Sequence, residues 1–242
     1  MQLEDDYSRY DDFPIVGCVS RNSNFLSSFS NTSNDEIQFS GQQENCCICF
    51  IDIIDSTRIS SQLAGRETSI FYGTFLNSVA TIARNFGAKI LKNAGDCLIY
   101  YFSNTSGSSK NTPVFKNVLE CGITIISAHR IINSKLLKHN LPPLNYRISA
   151  DYGKVEFAKS VSSQADDLFG PAVNLCAKIN SKAPRNGMVI GNNLYEIVKS
   201  IDDFSFEQVK DVYTEYYVYT VKDKRKRIIL NPFKQYSQNE PQ

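Results

Sequence analysis

The period of the apolar positions changes several times along the chain, and each change marks an element. Cys46–Ile54 is a short apolar run with β-branched residues between polar segments, which suits a buried central strand. From about Ser60 to Phe86, Leu63, Ile70, Phe71, Phe75, Val79, Ile82, Ala83 and Phe86 recur at helical spacing, and Gly87 stops the helix. Ile90–Ala94 and Cys97–Phe102 read as strands joined by a tight turn at Gly95-Asp96. Ser103–Pro113 reads as a surface loop, and a second long helix follows from about Val114 to Lys138, blocked by Pro142-Pro143. Asn145–Asp151 and Lys154–Val161 read as a hairpin turning at Gly153. A helix over Pro171–Lys182 opens on Pro171. Short strands near Met188–Ile190, Phe206–Val209 and Tyr216–Val221, with a helix near Leu194–Ser200, complete the pattern. The order contains a split βαβ unit and predicts an α+β, ferredoxin-like fold: a mainly antiparallel sheet with two helices on one face. The other face is expected to be partly solvated or used for association.

The ends differ from the middle. Residues 1–43 read as a flexible leader, because serine and asparagine dominate between Ser20 and Asn34 and too little apolar surface is available to offset ordering. Residues 222–242 read as a basic, polar tail, which leaves 44–221 as the folded domain. Lysine plus arginine number 26 and aspartate plus glutamate 25, a net charge of +1, so no global field favours nucleic acid or an anionic membrane. No apolar run approaches the ~18 residues of a spanning helix, and the acidic start is no signal peptide, so a cytoplasmic protein is expected. The seven cysteines form no CxxC pair and stand at no ligand spacing to His129 or His139, so free buried thiols are expected rather than zinc ligands.

Two acids draw attention because of where the pattern puts them. Asp52 ends the first strand and Asp96 sits in the hairpin, and a ferredoxin-like sheet makes those strands neighbours. Each alone could be structural, closing a strand or making a turn. Together they would repel unless a cation lay between them, and hard oxygen ligands suit Mg²⁺ or Mn²⁺. Ser56 and Thr57 follow where strand turns into helix, a place that serves equally as an N-cap or as a phosphate cradle. Asp52 and Asp55 are three apart, whereas phosphatases of the haloacid dehalogenase type need aspartates two apart.

Four blocks in order carry a family resemblance over roughly Cys47 to Val221. They are Phe50-x-Asp52-Ile53-x-x-x-Thr57; Gly87-Ala88-Lys89-x-x-Lys92-x-x-Gly95-Asp96 with Phe102; Arg147-Ile148-Ser149-Ala150-Asp151-Tyr152-Gly153; and Asp167-Leu168-Phe169-Gly170-x-x-Val173-Asn174-Leu175-x-Ala177-Lys178-Ile179. The chain resembles the class III nucleotidyl cyclases, the adenylate and guanylate cyclase catalytic domains. The resemblance implies a head-to-tail homodimer with active sites between subunits. It implies that Asp52, Asp96 and the carbonyl of Ile53 hold two Mg²⁺ or Mn²⁺ ions, and that Lys92 and Asp167 of the other subunit read the base. It further implies that Asn174 orients the ribose and that Lys178 stabilises the transition state. The reaction would be attack of the ribose 3′-hydroxyl on the α-phosphorus, with pyrophosphate leaving.

Lysine as donor and aspartate as acceptor match adenine, which offers an N6 amine and an N1 acceptor, so ATP is the expected substrate and cyclic AMP the product. The chain departs from the family at three places. Lys178 stands where relatives usually carry arginine, and a point charge lacks the planar fork that grips phosphate twice. Val212 lies near a position that some relatives fill with a phosphate-binding lysine, for which Lys210 is the substitute. Asp55 replaces a common glycine. These departures keep open a nucleotide-binding regulatory module that does not cyclise. A diguanylate cyclase is disfavoured because Ala94 and Cys97 break the loop such enzymes need.

Overall fold

The computed structural model describes residues 37–103, 113–160, 166–210 and 216–225. The elements in chain order are β1 (Ile37–Ile53), α1 (Ser56–Ser60), α2 (Gly65–Asn85), β2 (Lys89–Ala94), β3 (Cys97–Phe102), α3 (Pro113–Ser127) and α4 (His129–Leu137). β4 (Tyr146–Ser160), β5 (Asp166–Phe169), α5 (Pro171–Asn180), β6 (Gly187–Gly191), α6 (Asn192–Val198), β7 (Phe204–Gln208) and β8 (Val218–Asp223) follow. The sheet runs β2-β3-β1-β4-β6-β8-β7, with β5 added to the far half of β4. Only β4 and β6 pair in parallel among the described strands.

Strand alternation divides the core between two faces. Cys47, Cys49, Ile51 and Ile53 of β1 join Ile148 and Ala150 of β4 in the main core, under α2, α3, α4 and α6. Cys46 and Ile48 point the other way, into a smaller cluster with Tyr101, Val155, Leu168 and the α5 residues Ala172 and Cys176. Thus the second face, expected to be partly solvated or used for association, is partly covered by α5. That helix is pinned by buried polar bonds: the Ser149 hydroxyl donates to the Cys176 carbonyl at 2.8 Å, and Asn180 Nδ2 donates to Ser149 Oγ at 3.1 Å and the Phe50 carbonyl at 3.3 Å.

The α+β, mainly antiparallel fold matches the expectation, and several local readings change. The expected hairpin at Gly153 is one continuous strand, β4, in which Gly153 pairs with Cys46. The glycine is there for proximity rather than for turning: a Cβ on it would lie 3.0 Å from the Ala172 Cβ of α5. The first expected helix, from about Ser60, instead starts at Gly65, because the Glu67 carboxylate accepts from the Ala64 N–H and opens α2 there, and the short α1 precedes it across a break at 61–64. The second expected helix is two, divided at Ala128. β1 begins at Ile37, inside the segment read as leader, and kinks where its register with β4 shifts between Phe39 and Gln43. Residues 1–36, most of the Ser103–Pro113 loop, Val212 and the tail after Arg225 lie outside the described residues.

Candidate active site

The end of β1 builds the first group. The alternation that sends Ile51 and Ile53 into the main core sends Asp52 to the opposite face, directly across from Arg147 on β4. The Arg147 Nη2 donates to Asp52 Oδ2 at 3.1 Å. On the other side, the β2–β3 turn, with Gly95 at φ +62°, brings the Asp96 carboxyl within hydrogen-bonding reach of Asp52. Burial pushes the Asp52 carboxyl above its ordinary range, Arg147 pulls it back, and Asp96 pushes it up again. Beside them the Cys97 thiol is pushed up to about 12 by burial and by both acids, so it stays protonated. Two carboxyl groups crowded in this way favour a divalent cation between them on electrostatic grounds. Among the described residues no third carboxylate, histidine or cysteine completes a ready-made cage. Ile53 buries its side chain in the core and ends the strand.

Next to Asp96 lies a hollow of about 470 Å³ lined by Ser56, Thr57, Ser60, Tyr72, Asn93 and Gly95. Asp55, which precedes α1, has φ +59°, a left-handed conformation that glycine enters freely and aspartate enters better than most residues. That geometry gives a physical reason for a glycine at this position in similar chains.

A second group forms where β2 meets β5. A bulge between Ile90 and Lys92 puts Leu91 against the smaller cluster. Lys92 Nζ meets Asp167 Oδ2 at 2.5 Å, and the other Asp167 oxygen accepts from the Leu168 N–H at 2.9 Å. Both side chains remain partly exposed, at 41% and 29%. Gly170 then opens α5 at φ +148°, where a Cβ would come within 2.6 Å of the Lys154 carbonyl oxygen. Asn174 and Lys178, four residues apart, share the exposed face of α5. Lys178 Nζ lies 5.7 Å from the centre of the Tyr216 ring.

The structure therefore brings Asp52, Asp96, Ser56 and Thr57 to one end of the sheet, and Lys92 together with Asp167 to another place. No hydrogen bond or ion pair among the described residues joins the two groups. Lys210 is not brought to either; it lines a separate hollow of about 980 Å³ with Lys182, Arg185 and Lys222. Sequence reasoning placed Arg147 in a motif without giving it a task. Its signal was register, since the residue facing Asp52 across an antiparallel pair must share its face.

The profile described as the adenylate and guanylate cyclase catalytic domain matches residues 39–231. The chain belongs to this family. The chain is 24% identical to a cytidylate cyclase of Staphylococcus aureus over 81% of its length, and 20% identical to a cytidylate cyclase of Escherichia coli over 78%. It spans only 45% and 44% of those two proteins. The crystal structure of the adenylyl cyclase CyaB from P. aeruginosa superposes with a TM-score of 0.67 at 19% identity, over 80% of this chain and 99% of that one, which shows the shared fold. Class III cyclases act with divalent metal ions, and the crowded acids of this cyclase domain have the donor chemistry for them. No helix among the described residues is long and apolar enough to cross a membrane.

Proposed function

We propose that this cyclase domain closes the ribose 3′-hydroxyl of a nucleoside triphosphate onto its α-phosphorus, releasing pyrophosphate, and that it takes a base whose pairing edge offers an amine donor next to a ring-nitrogen acceptor. The observation that carries the base assignment is the Lys92–Asp167 pair. One donor beside one acceptor matches adenine, with its N6 amine and N1 acceptor. It matches cytosine equally, with its N4 amine and N3 acceptor, whereas guanine and uracil present the reverse order. ATP and CTP are therefore the two substrates, and the two cytidylate cyclases similar to this chain weigh toward CTP.

Asp52 and Asp96, with the carbonyl of Ile53, are the residues that would hold Mg²⁺ or Mn²⁺, two ions in this reading. Bound there, such cations acidify the attacking hydroxyl and neutralise the departing phosphates. Ser56 and Thr57 line the hollow where the phosphates would lie, Asn174 would orient the ribose, and Lys178 would offset charge growing on the α-phosphate. Lys210 belongs to this set only if the unlinked hollow it lines is brought to the triphosphate. Because no hydrogen bond or ion pair among the described residues joins the acidic pair to the base-reading pair, a head-to-tail homodimer would supply one from each copy.

The test incubates purified protein with Mn²⁺ and each of ATP, CTP, GTP and UTP, and identifies cyclic products by chromatography. Cyclic AMP or cyclic CMP is expected; product from GTP or UTP alone refutes the base assignment. Mixing Asp52→Ala with Asp167→Ala, each inactive alone, is expected to restore one working site per heterodimer. No recovery while both variants still dimerise refutes the shared site. The lysine at 178 favours a second reading, a nucleotide-binding module that does not cyclise, in which the four triphosphates bind without product.

A further inference from the structure

Lys178 stands on the exposed face of α5, and among the described residues its ammonium meets no carboxylate. A lysine in that state has a flexible four-carbon stem and no built-in direction. Direction comes from Tyr216, whose ring centre lies 5.7 Å from Nζ, within the range of a cation–π contact. The chain beside the ring is anchored: Val218, two residues on, is buried with Ile179, Ala183 and Val189. This end of β8 is thereby fixed against the turn of α5 that carries Lys178. At 39% exposure Tyr216 still presents ring surface to solvent.

We propose that Tyr216 is the positioning residue for Lys178, holding its ammonium over the ring so that the charge is already aimed along the Asn174 face of α5 when a triphosphate arrives. The inference rests on the role given to Lys178 above. Aiming the cation in advance removes rotamer freedom that would otherwise be lost at the transition state, so its effect falls on kcat rather than on KM.

Tyr216→Leu keeps bulk and removes the aromatic face. It is expected to lower kcat by about 2- to 5-fold at unchanged KM. In a Lys178→Gln background the same change is expected to have a smaller effect, since no cation remains to be aimed. The Lys178 methylene protons report the contact without nucleotide: removing the ring is expected to shift their ¹H–¹³C resonances downfield. Wild-type kcat in Tyr216→Leu, equal losses in both backgrounds, or unmoved Lys178 resonances each overturn the proposal. If the wild-type chain cyclises no triphosphate, the catalytic reading of Lys178 fails separately. The methylene resonances then decide whether Tyr216 holds Lys178.

Discussion

Replacing Asp151 by asparagine probes a buried charge that the proposed chemistry does not use. Asp151 is fully buried on β4, facing Ile48 across the β1–β4 pair. Its Oδ1 accepts from the Leu194 N–H at 3.2 Å, while its Oδ2 has no hydrogen-bond partner among the described residues. Burial pushes the carboxyl from the ordinary 3.8 up to about 6, although the Tyr152 and Leu194 N–H groups favour the charged form. The folded protein therefore binds more protons than the unfolded chain between those two values. Stability from this group is fully present well below pH 3.8 and is lost as pH rises from there through about 6. Over the whole range from 3.8 to about 6 the loss amounts to about 3 kcal/mol. Asparagine keeps the acceptor for Leu194 and cannot ionise. The difference in unfolding free energy, variant minus wild type, is expected to move by about 2 kcal/mol in favour of the variant between pH 4 and pH 7.5, the rest of the effect lying below pH 4. Urea unfolding followed by circular dichroism at both pH values measures it, and groups common to the two proteins cancel. A difference that stays flat across that range refutes the reasoning.

Arg147→Gln removes the cation beside Asp52 and leaves the acidic pair more negative, so calorimetric titration without nucleotide is expected to show tighter Mn²⁺ binding. Because that ion pair is partly exposed, its loss should lower stability by no more than about 1 kcal/mol; weaker Mn²⁺ binding refutes the assignment. Lys178→Arg gives the α5 face a planar two-pronged donor and is expected to raise kcat by about tenfold in the triphosphate assay, with a lower kcat as the refuting result. Gly153→Val pushes a side chain against Ala172 and must lift α5 from the sheet, at a cost of about 1–3 kcal/mol in chemical unfolding. A neutral result there would mean that α5 is not held closely by β4.

What the sequence disclosed follows from which forces are local. The continuous apolar, β-branched run at Cys46–Ile54 and the helical spacing up to Phe86 register burial locally, so the central strand and the existence of a helix were legible. The break before Gly65 was not, because it depends on one carboxylate, Glu67, closing on the Ala64 N–H. Gly153 misled for a related reason: a glycine looks the same in sequence whether it bends the chain or clears space for a helix eighteen residues on. β5 escaped because its four residues, Asp166–Phe169, are polar at one end and gain their strand character only by pairing with β4. At the site, the meeting of Asp52 with Asp96 followed from topology and was readable. The partnership of Asp52 with Arg147 needed a register, which apolar periodicity alone does not give.

Register also joins folding to chemistry in this domain. Along β1, Cys47, Cys49, Ile51 and Ile53 face the main core, and Cys46, Ile48, Phe50 and Asp52 face the other way. A slip of one residue would exchange the two sets. Asp52 would then enter the apolar layer among Ile148 and its neighbours without Arg147, and Ile51 and Ile53 would be carried to the partly open face. Burying an unpaired carboxylate costs several kcal/mol, so the misregistered strand is penalised on both faces at once. The acid proposed to hold metal is thus kept in place by the apolar residues on either side of it. Selection for a well-packed β1 and selection for a correctly placed carboxylate act on the same alternation, and a substitution that improved one by shifting the strand would destroy the other.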